Sequence, residues 1–113
     1  IATRLDAEFA PQGVRVFAVD SYYAANGQIE WLQQAGESEV DIGAHAGIRE
    51  TSELLAIAPD AVRRDKLTPG TDWAGLGGSG RPDRASAERG RALLELKIEA
   101  ALRQIRQLMS LNP

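Results

Sequence analysis

Val14-Arg15-Val16-Phe17-Ala18-Val19 is short, apolar and rich in β-branched side chains. Such a run has the character of a strand buried on both faces of a parallel sheet. Ahead of it, Ile1, Leu5 and Phe9 stand four apart with Ala2 beside them, which is one face of a helix. Pro11 and Gly13 bring that helix to an end. A helix feeding a buried strand is half of an α/β unit, so an α/β fold is expected. Asp20 closes the run. Ser21-Tyr22-Tyr23 follows at the strand's carboxyl end, where ligands of α/β sheets usually bind.

Further along, Asn26-Gly27 signals a turn, and Ile29, Trp31, Leu32 and Ala35 suggest a short helix ended by Gly36. Glu37-Ser38-Glu39-Val40-Asp41 is acidic and expected at the surface. Residues 50–58 look helical through Leu54, Leu55, Ile57 and Ala58, with Thr51 or a neighbour at the N-terminus and Pro59 as the stop. Val62 starts a short extended piece. Residues 63–82 are loop, punctuated by five glycines and two prolines, and a connection of that length tends to be functional. Leu94, Ile98, Ala101, Leu102, Ile105, Leu108 and Met109 then mark a long helix with a core-facing stripe. Asp83 or Ser86 can cap it, Arg103 follows Glu99 by four, and Asn112-Pro113 lies past its end.

The totals narrow the function. At 113 residues the chain fits one domain, and 43% hydrophobic with 26% charged residues is the balance of a soluble globular protein. A net charge of -3 offers no basic footprint for nucleic acid or for an anionic membrane. Cysteine is absent, which removes disulfides, thiolate metal sites and a Cys nucleophile. No apolar run reaches the roughly 18–20 residues that span a bilayer, and no signal peptide is visible. A cytoplasmic protein is expected. The chain begins at Ile1 without an initiating Met, as a fragment or processed subunit would.

The chemistry concentrates in Asp41-Ile42-Gly43-Ala44-His45-Ala46-Gly47-Ile48-Arg49-Glu50-Thr51-Ser52, which holds the single histidine. A lone histidine is more often a surface or satisfied core residue than a catalyst. Here Gly43 and Gly47 permit close backbone approach, and Glu50 supplies a carboxylate five residues on. Two such residues do not make a metal site, because zinc takes at least three protein ligands. Asp20 and Asp41 are spare carboxylates that no spacing ties to them. Gly75-Leu76-Gly77-Gly78-Ser79-Gly80 resembles a phosphate loop only in glycine content, lacking the preceding strand and the following Lys. A flexible or substrate-covering loop fits it better.

The string His45-Ala46-Gly47-Ile48-Arg49-Glu50-Thr51-Ser52, then Leu54-Leu55 and Pro59-Asp60-Ala61-Val62, resembles the creatininase (creatinine amidohydrolase) family pattern H-A-G-x-x-E-T-S followed by P-x-x-V. Ala85-Ser86-Ala87-Glu88-Arg89-Gly90 is similar to the family's A-S-A-E-x-G at the start of the last helix. The resemblance implies a three-layer α/β/α sandwich, of which residues 1–113 would be the C-terminal half of a single domain. It implies metal-dependent hydrolysis of an amide C–N bond in a creatinine-like cyclic amide or related small amide. The implied cofactors are two divalent ions, zinc with zinc, manganese or iron as the second. Glu50 falls on a metal ligand and His45 on the active-site histidine assigned to proton transfer. Tyr22, Tyr23 and Trp73 are candidates to line the substrate pocket. A homo-oligomer is implied, a hexamer in the family.

Two departures accompany the match. The family's G-D-P before the last helix is Gly80-Arg81-Pro82 here. The family's other ligands lie in an E-x-H segment, a nearby Asp and an N-G-H-G-G-N stretch, none of which this chain contains. The N-terminal half of the same protein is therefore expected as a partner, beside a small-molecule amide. Related members include peptidases for small modified peptides and deformylases in biosynthetic pathways. A non-catalytic assembly subunit that uses the long helix is the alternative from another class.

Overall fold

The computed structural model describes residues 1–111. Among the described residues six α-helices run in order: α1 (Ala2–Phe9), α2 (Ser21–Ala24), α3 (Gln28–Gln34), α4 (Glu39–Ile42), α5 (Ile48–Ile57) and α6 (Ala87–Ser110); one 3-10 turn follows α1 and four more punctuate the long connection between α5 and α6. There is no strand among the described residues. The expected α/β/α sandwich is therefore incorrect for this chain, which is all-helical. The stop expected at Asn112-Pro113 lies outside the described residues. No helix among them is long and apolar enough to cross a membrane.

The chain divides into two compact units, one of Ile1–Asn26 with the residues from Lys97 onward, the other of Gly27–Leu96. In the first, α1 forms where the sequence placed it. Residues 14–19 do not form the expected strand, for a physical reason that their hydrogen bonds make plain. A strand is stable only when another strand satisfies its backbone. Here the Val16 N–H donates to the Asp6 carboxylate at 2.8 Å, and the Ala18 carbonyl accepts from Gln104 Nε2 at 3.4 Å. Side chains have taken the place of a ladder. Val14 and Phe17 stay exposed, and the Arg15 guanidinium lies 5.0 Å from the centre of the Phe17 ring.

The second unit holds the better core. Leu32, Ile42, Ile48 and Leu93 are almost fully buried together, with Trp31 and Leu96 packed against them. Each comes from a different helix, so α3, α4, α5 and the first half of α6 meet at one point. Gln28 is buried beside them, and its Nε2 donates to the Leu93 carbonyl at 2.8 Å. Helix α4, absent from the sequence expectation, begins at Ser38, whose hydroxyl accepts from the Asp41 N–H. Ser86 caps α6 by accepting from the Arg89 N–H at 3.1 Å, one of the two caps expected.

The apolar stripe of α6 is one position away from the expected one. Leu93 and Ala100 are its buried hydrophobic residues, whereas Ile98, Leu102, Ile105 and Met109 are exposed. Leucines at 93, 94 and 96 offer overlapping helical faces, and packing against Leu32 and Ile48 selects the face of Leu93.

Candidate active site

The His45 loop joins α4 to α5, and its shape follows from backbone packing against residues 78–80. A Cβ on Gly43 would stand 2.5 Å from the Ser79 carbonyl oxygen, and one on Gly80 would collide with the Asp41 carbonyl. Both glycines also take positive φ, +70° and +73°, so no other residue suits either position. The glycine-rich segment is thus neither a phosphate loop nor a free flap at this end; it is the seat of the His45 loop. Ser79 completes the seat. Its hydroxyl accepts from the N–H groups of Ala44 (2.7 Å) and His45 (2.9 Å), and its own N–H donates to the His45 carbonyl at 2.8 Å.

Past His45 the chain turns sharply. Ala46 is the one non-glycine residue with positive φ among the described residues, at +47°. That conformation costs an alanine about 1–2 kcal/mol. Gly47 then starts α5. One oxygen of the Glu50 carboxylate accepts from the Gly47 N–H at 3.2 Å, and the other lies 3.6 Å from Arg49 Nη2. Glu50 therefore does the ordinary work of a third-position helix residue, satisfying an orphan N–H of the first turn. Thr51 does not cap the helix; its hydroxyl donates to the Ala46 carbonyl at 3.2 Å.

Two more motif residues have structural work. Ser52 is fully buried, and its hydroxyl accepts from the Ser86 N–H at 3.2 Å. Gly90 lets α6 cross α5 at Ser52, where a Cβ would run into the Ser52 carbonyl. His45 differs from all of these. Its side chain is exposed and makes no hydrogen bond or ion pair among the described residues.

The loop edges a cleft of about 420 Å³, within the range of small-molecule sites. Ala46, Glu50, Arg63, Lys66 and Trp73 are among its lining residues, so the structure brings Glu50 and Trp73 together and places His45 one residue from the wall. Tyr22 and Tyr23 lie on α2 in the other unit and are exposed.

An ion network, unforeseen in the sequence, braces the loop from behind. Glu37 is not exposed as expected: its side chain is fully buried, 3.1 Å from Arg84 Nη1 and 2.7 Å from Arg89 Nη2. Arg84 Nη1 is also 3.7 Å from Asp41. Arg81, standing where the family has Asp, donates to both Asp83 carboxylate oxygens at 2.9 and 2.7 Å, and its N–H donates to the Asp41 carbonyl. Hydrogen bonds from Arg81 hold the Asp83 carboxyl below its ordinary range, and Asp83 raises the Arg81 guanidinium in return. The only sequence hint was an acidic run at 37–41 matched by arginines at 81, 84 and 89.

A metal does not fit these residues alone. Among the described residues no group of three His, Cys, Asp or Glu side chains could hold an ion. Glu50 is engaged by Gly47 and Arg49. Asp20 accepts from Gln104 Nε2 at 2.9 Å, and Asp41 is taken up by Ser38 and Arg84.

The loop between α4 and α5 and the first turn of α5 thus present an unbonded histidine and a carboxylate beside a cleft. The family model described as Creatininase: Creatinine amidohydrolase matches residues 1–105, and the chain belongs to that family. Membership points to amidohydrolase chemistry in general. No curated protein and no solved structure matches the chain.

Proposed function

We propose that the chain forms part of a site that hydrolyses the C–N bond of a creatinine-like cyclic amide or a related small amide. Water adds to the carbonyl carbon, the C–N bond breaks, and His45 delivers a proton to the leaving nitrogen. The observation that carries this is the contrast between His45 and its neighbours. Glu50, Thr51, Ser52 and Gly90 all have structural work, while the ring of His45 has none. Hydrogen bonds between Ser79 and the backbone of Ala44 and His45, together with a costly backbone at Ala46, nevertheless fix the residue that bears it.

Metal dependence belongs to this proposal too. Glu50 would be one donor to a divalent pair, zinc with zinc, manganese or iron, and further donors would have to come from outside the described residues. His45→Ala should lower amide turnover by about a hundredfold or more while leaving the unfolding midpoint in place. Unchanged turnover would remove His45 from the chemistry. Glu50→Ala should lower the metal bound per subunit of the metal-loaded protein, measured by elemental analysis, and undiminished metal would remove Glu50 as a donor. A peptidase or a deformylase would need the same two residues and differ only in the amide accepted.

A second reading, an assembly subunit, is favoured by α6. Ile98 and Met109 are 58% and 70% exposed on a helix with an otherwise amphipathic pattern. A homo-oligomer formed there would dissociate in Ile98→Glu, as sedimentation would report; an unaltered sedimentation coefficient would end this reading.

A further inference from the structure

The cleft beside the His45 loop carries more positive charge than the chain as a whole allows for. The chain's net charge is -3, yet the cleft is lined by two cations, Arg63 and Lys66, against one carboxylate, Glu50. Glu50 is itself offset by Arg49 at 3.6 Å. Lys66 faces Asp65 at 3.6 Å, but both side chains are about two-thirds exposed, so water weakens that pair. Arg63 has no ion pair among the described residues. Counting these five groups leaves one uncompensated positive charge at the cleft.

Apolar groups surround it. Leu54, Val62, Leu67, Leu76 and Pro82 share the lining, which strengthens the field of a nearby cation relative to open water. Trp73 adds an independent sign. It lines the cleft, and its indole Nε1–H is buried with no acceptor among the described residues. A buried donor is costly unless a water or a ligand group satisfies it. One surplus positive charge, a planar guanidinium without a partner and an unused N–H suit one ligand group, a carboxylate.

We infer that the cleft binds amides that carry a single carboxylate, the class of N-acyl amino acids, with Arg63 as the principal anchor for the carboxylate and Lys66 as a second. This rests on the amidohydrolase proposal for the reacting end of the ligand, and it adds the recognition of the other end.

The test is a titration of the chain followed by the indole N–H signals in a nitrogen–proton NMR spectrum. Trp73 reports the cleft, and Trp31, packed against the core, is the internal control. Three probes are compared: N-acetylglycine, its neutral amide N-acetylglycinamide, and pentanoate, which has the carboxylate without the amide. N-acetylglycine is expected to shift Trp73 and not Trp31, and to bind at least about tenfold more tightly than N-acetylglycinamide. The double variant Arg63→Gln with Lys66→Gln should lose about tenfold or more in affinity, and Arg63→Lys with native Lys66 should lose less than the double variant, because it keeps the charge and gives up only the planar fork. Equal binding of the two amides, unchanged binding by the double variant, or no shift of Trp73 would overturn the inference. Equal binding of the two amides leaves the amide proposal intact. Pentanoate binding as tightly as N-acetylglycine would support the carboxylate inference and count against the amide proposal.

Discussion

The hydroxyl of Ser79 accepts hydrogen bonds from the backbone N–H of His45 at 2.9 Å and of Ala44 at 2.7 Å, across thirty-four and thirty-five residues of sequence. One side-chain oxygen thus fixes two consecutive peptide planes beside the candidate proton donor. Ser79→Ala leaves both N–H groups without that acceptor. The loop is partly open to water, so the stability cost should be about 1 kcal/mol, at the low end for such losses. Turnover should suffer more, by about ten- to a hundredfold, because His45 loses its fixed position. Urea unfolding and amide turnover measured on the same variant check both; a stability loss with full turnover would show that the clamp is structural only.

Ala46 should respond in the opposite direction. Its φ of +47° is cheap for glycine and costly for alanine. Ala46→Gly removes that cost but makes the unfolded chain more flexible, which offsets part of the gain. A net stabilisation of about 0.5–1 kcal/mol is expected as a higher urea midpoint with the same slope. A lower midpoint would mean that the alanine methyl contributes packing that outweighs the strain.

Local signals made α1, α3 and α5 legible, because Pro11, Gly36 and Pro59 stop helices by mechanisms that act within a few residues. The family string around His45 was legible in the same way. Residues 14–19 misled because β-branched composition describes a surface suited to a sheet and says nothing about whether a second strand is present. Glu37 was misplaced because an acidic run is usually solvated, and only arginines more than forty residues away bury it. The Ser79 clamp was invisible for the same reason of distance. Glu50 was read for its charge alone, whereas its contact with Gly47 is the commonplace of a helix start.

Glu37 makes the sharpest stability prediction. Its carboxylate is fully buried between Arg84 and Arg89, whose own side chains are 41% and 25% exposed. Glu37→Gln keeps the shape and removes the charge, leaving two guanidinium groups turned toward a neutral amide. The loss should be about 3 kcal/mol, the low end for breaking a buried pair, since both arginines keep access to water. Denaturant unfolding measures it. A loss below about 0.5 kcal/mol would place this network with ordinary surface ion pairs.

Acid should remove the stabilising contribution of two carboxylates. Hydrogen bonding from the Arg15 side chain, helped by the Val16 N–H, lowers the Asp6 carboxyl to about 2. Arg81 lowers Asp83 in the same way. A carboxyl depressed in the folded state contributes stability above its unfolded value, near 4, and that contribution disappears as pH falls through the folded value. For Asp6 the window runs from about pH 4 down to about pH 2. Arg15→Gln should return the Asp6 titration, followed by carboxyl carbon NMR, toward the ordinary range. An Asp6 midpoint unchanged by that variant would show that the backbone N–H alone holds it down.

Gly90→Ala sets two effects of opposite sign against each other. In an open helix, alanine would be favoured over glycine by about 1 kcal/mol. At this crossing the new methyl would run into the Ser52 carbonyl oxygen, 2.5 Å from the Ser52 carbonyl carbon and 2.9 Å from Ala56 Cβ. Backbone atoms of α5 cannot swing aside as a flexible side chain would, so the two helices must separate. Overpacking of that kind costs about 1–3 kcal/mol or more, and the net effect should be destabilising. Separation would also lengthen the bond from the Ser86 N–H to the Ser52 hydroxyl and disturb the start of α6. Ala56→Gly added to Gly90→Ala should recover little, because the backbone overlap with Ser52 remains. Full recovery in that double variant would identify the Ala56 methyl as the whole obstacle and would mean that α5 and α6 approach less closely at Ser52 than the structure has them.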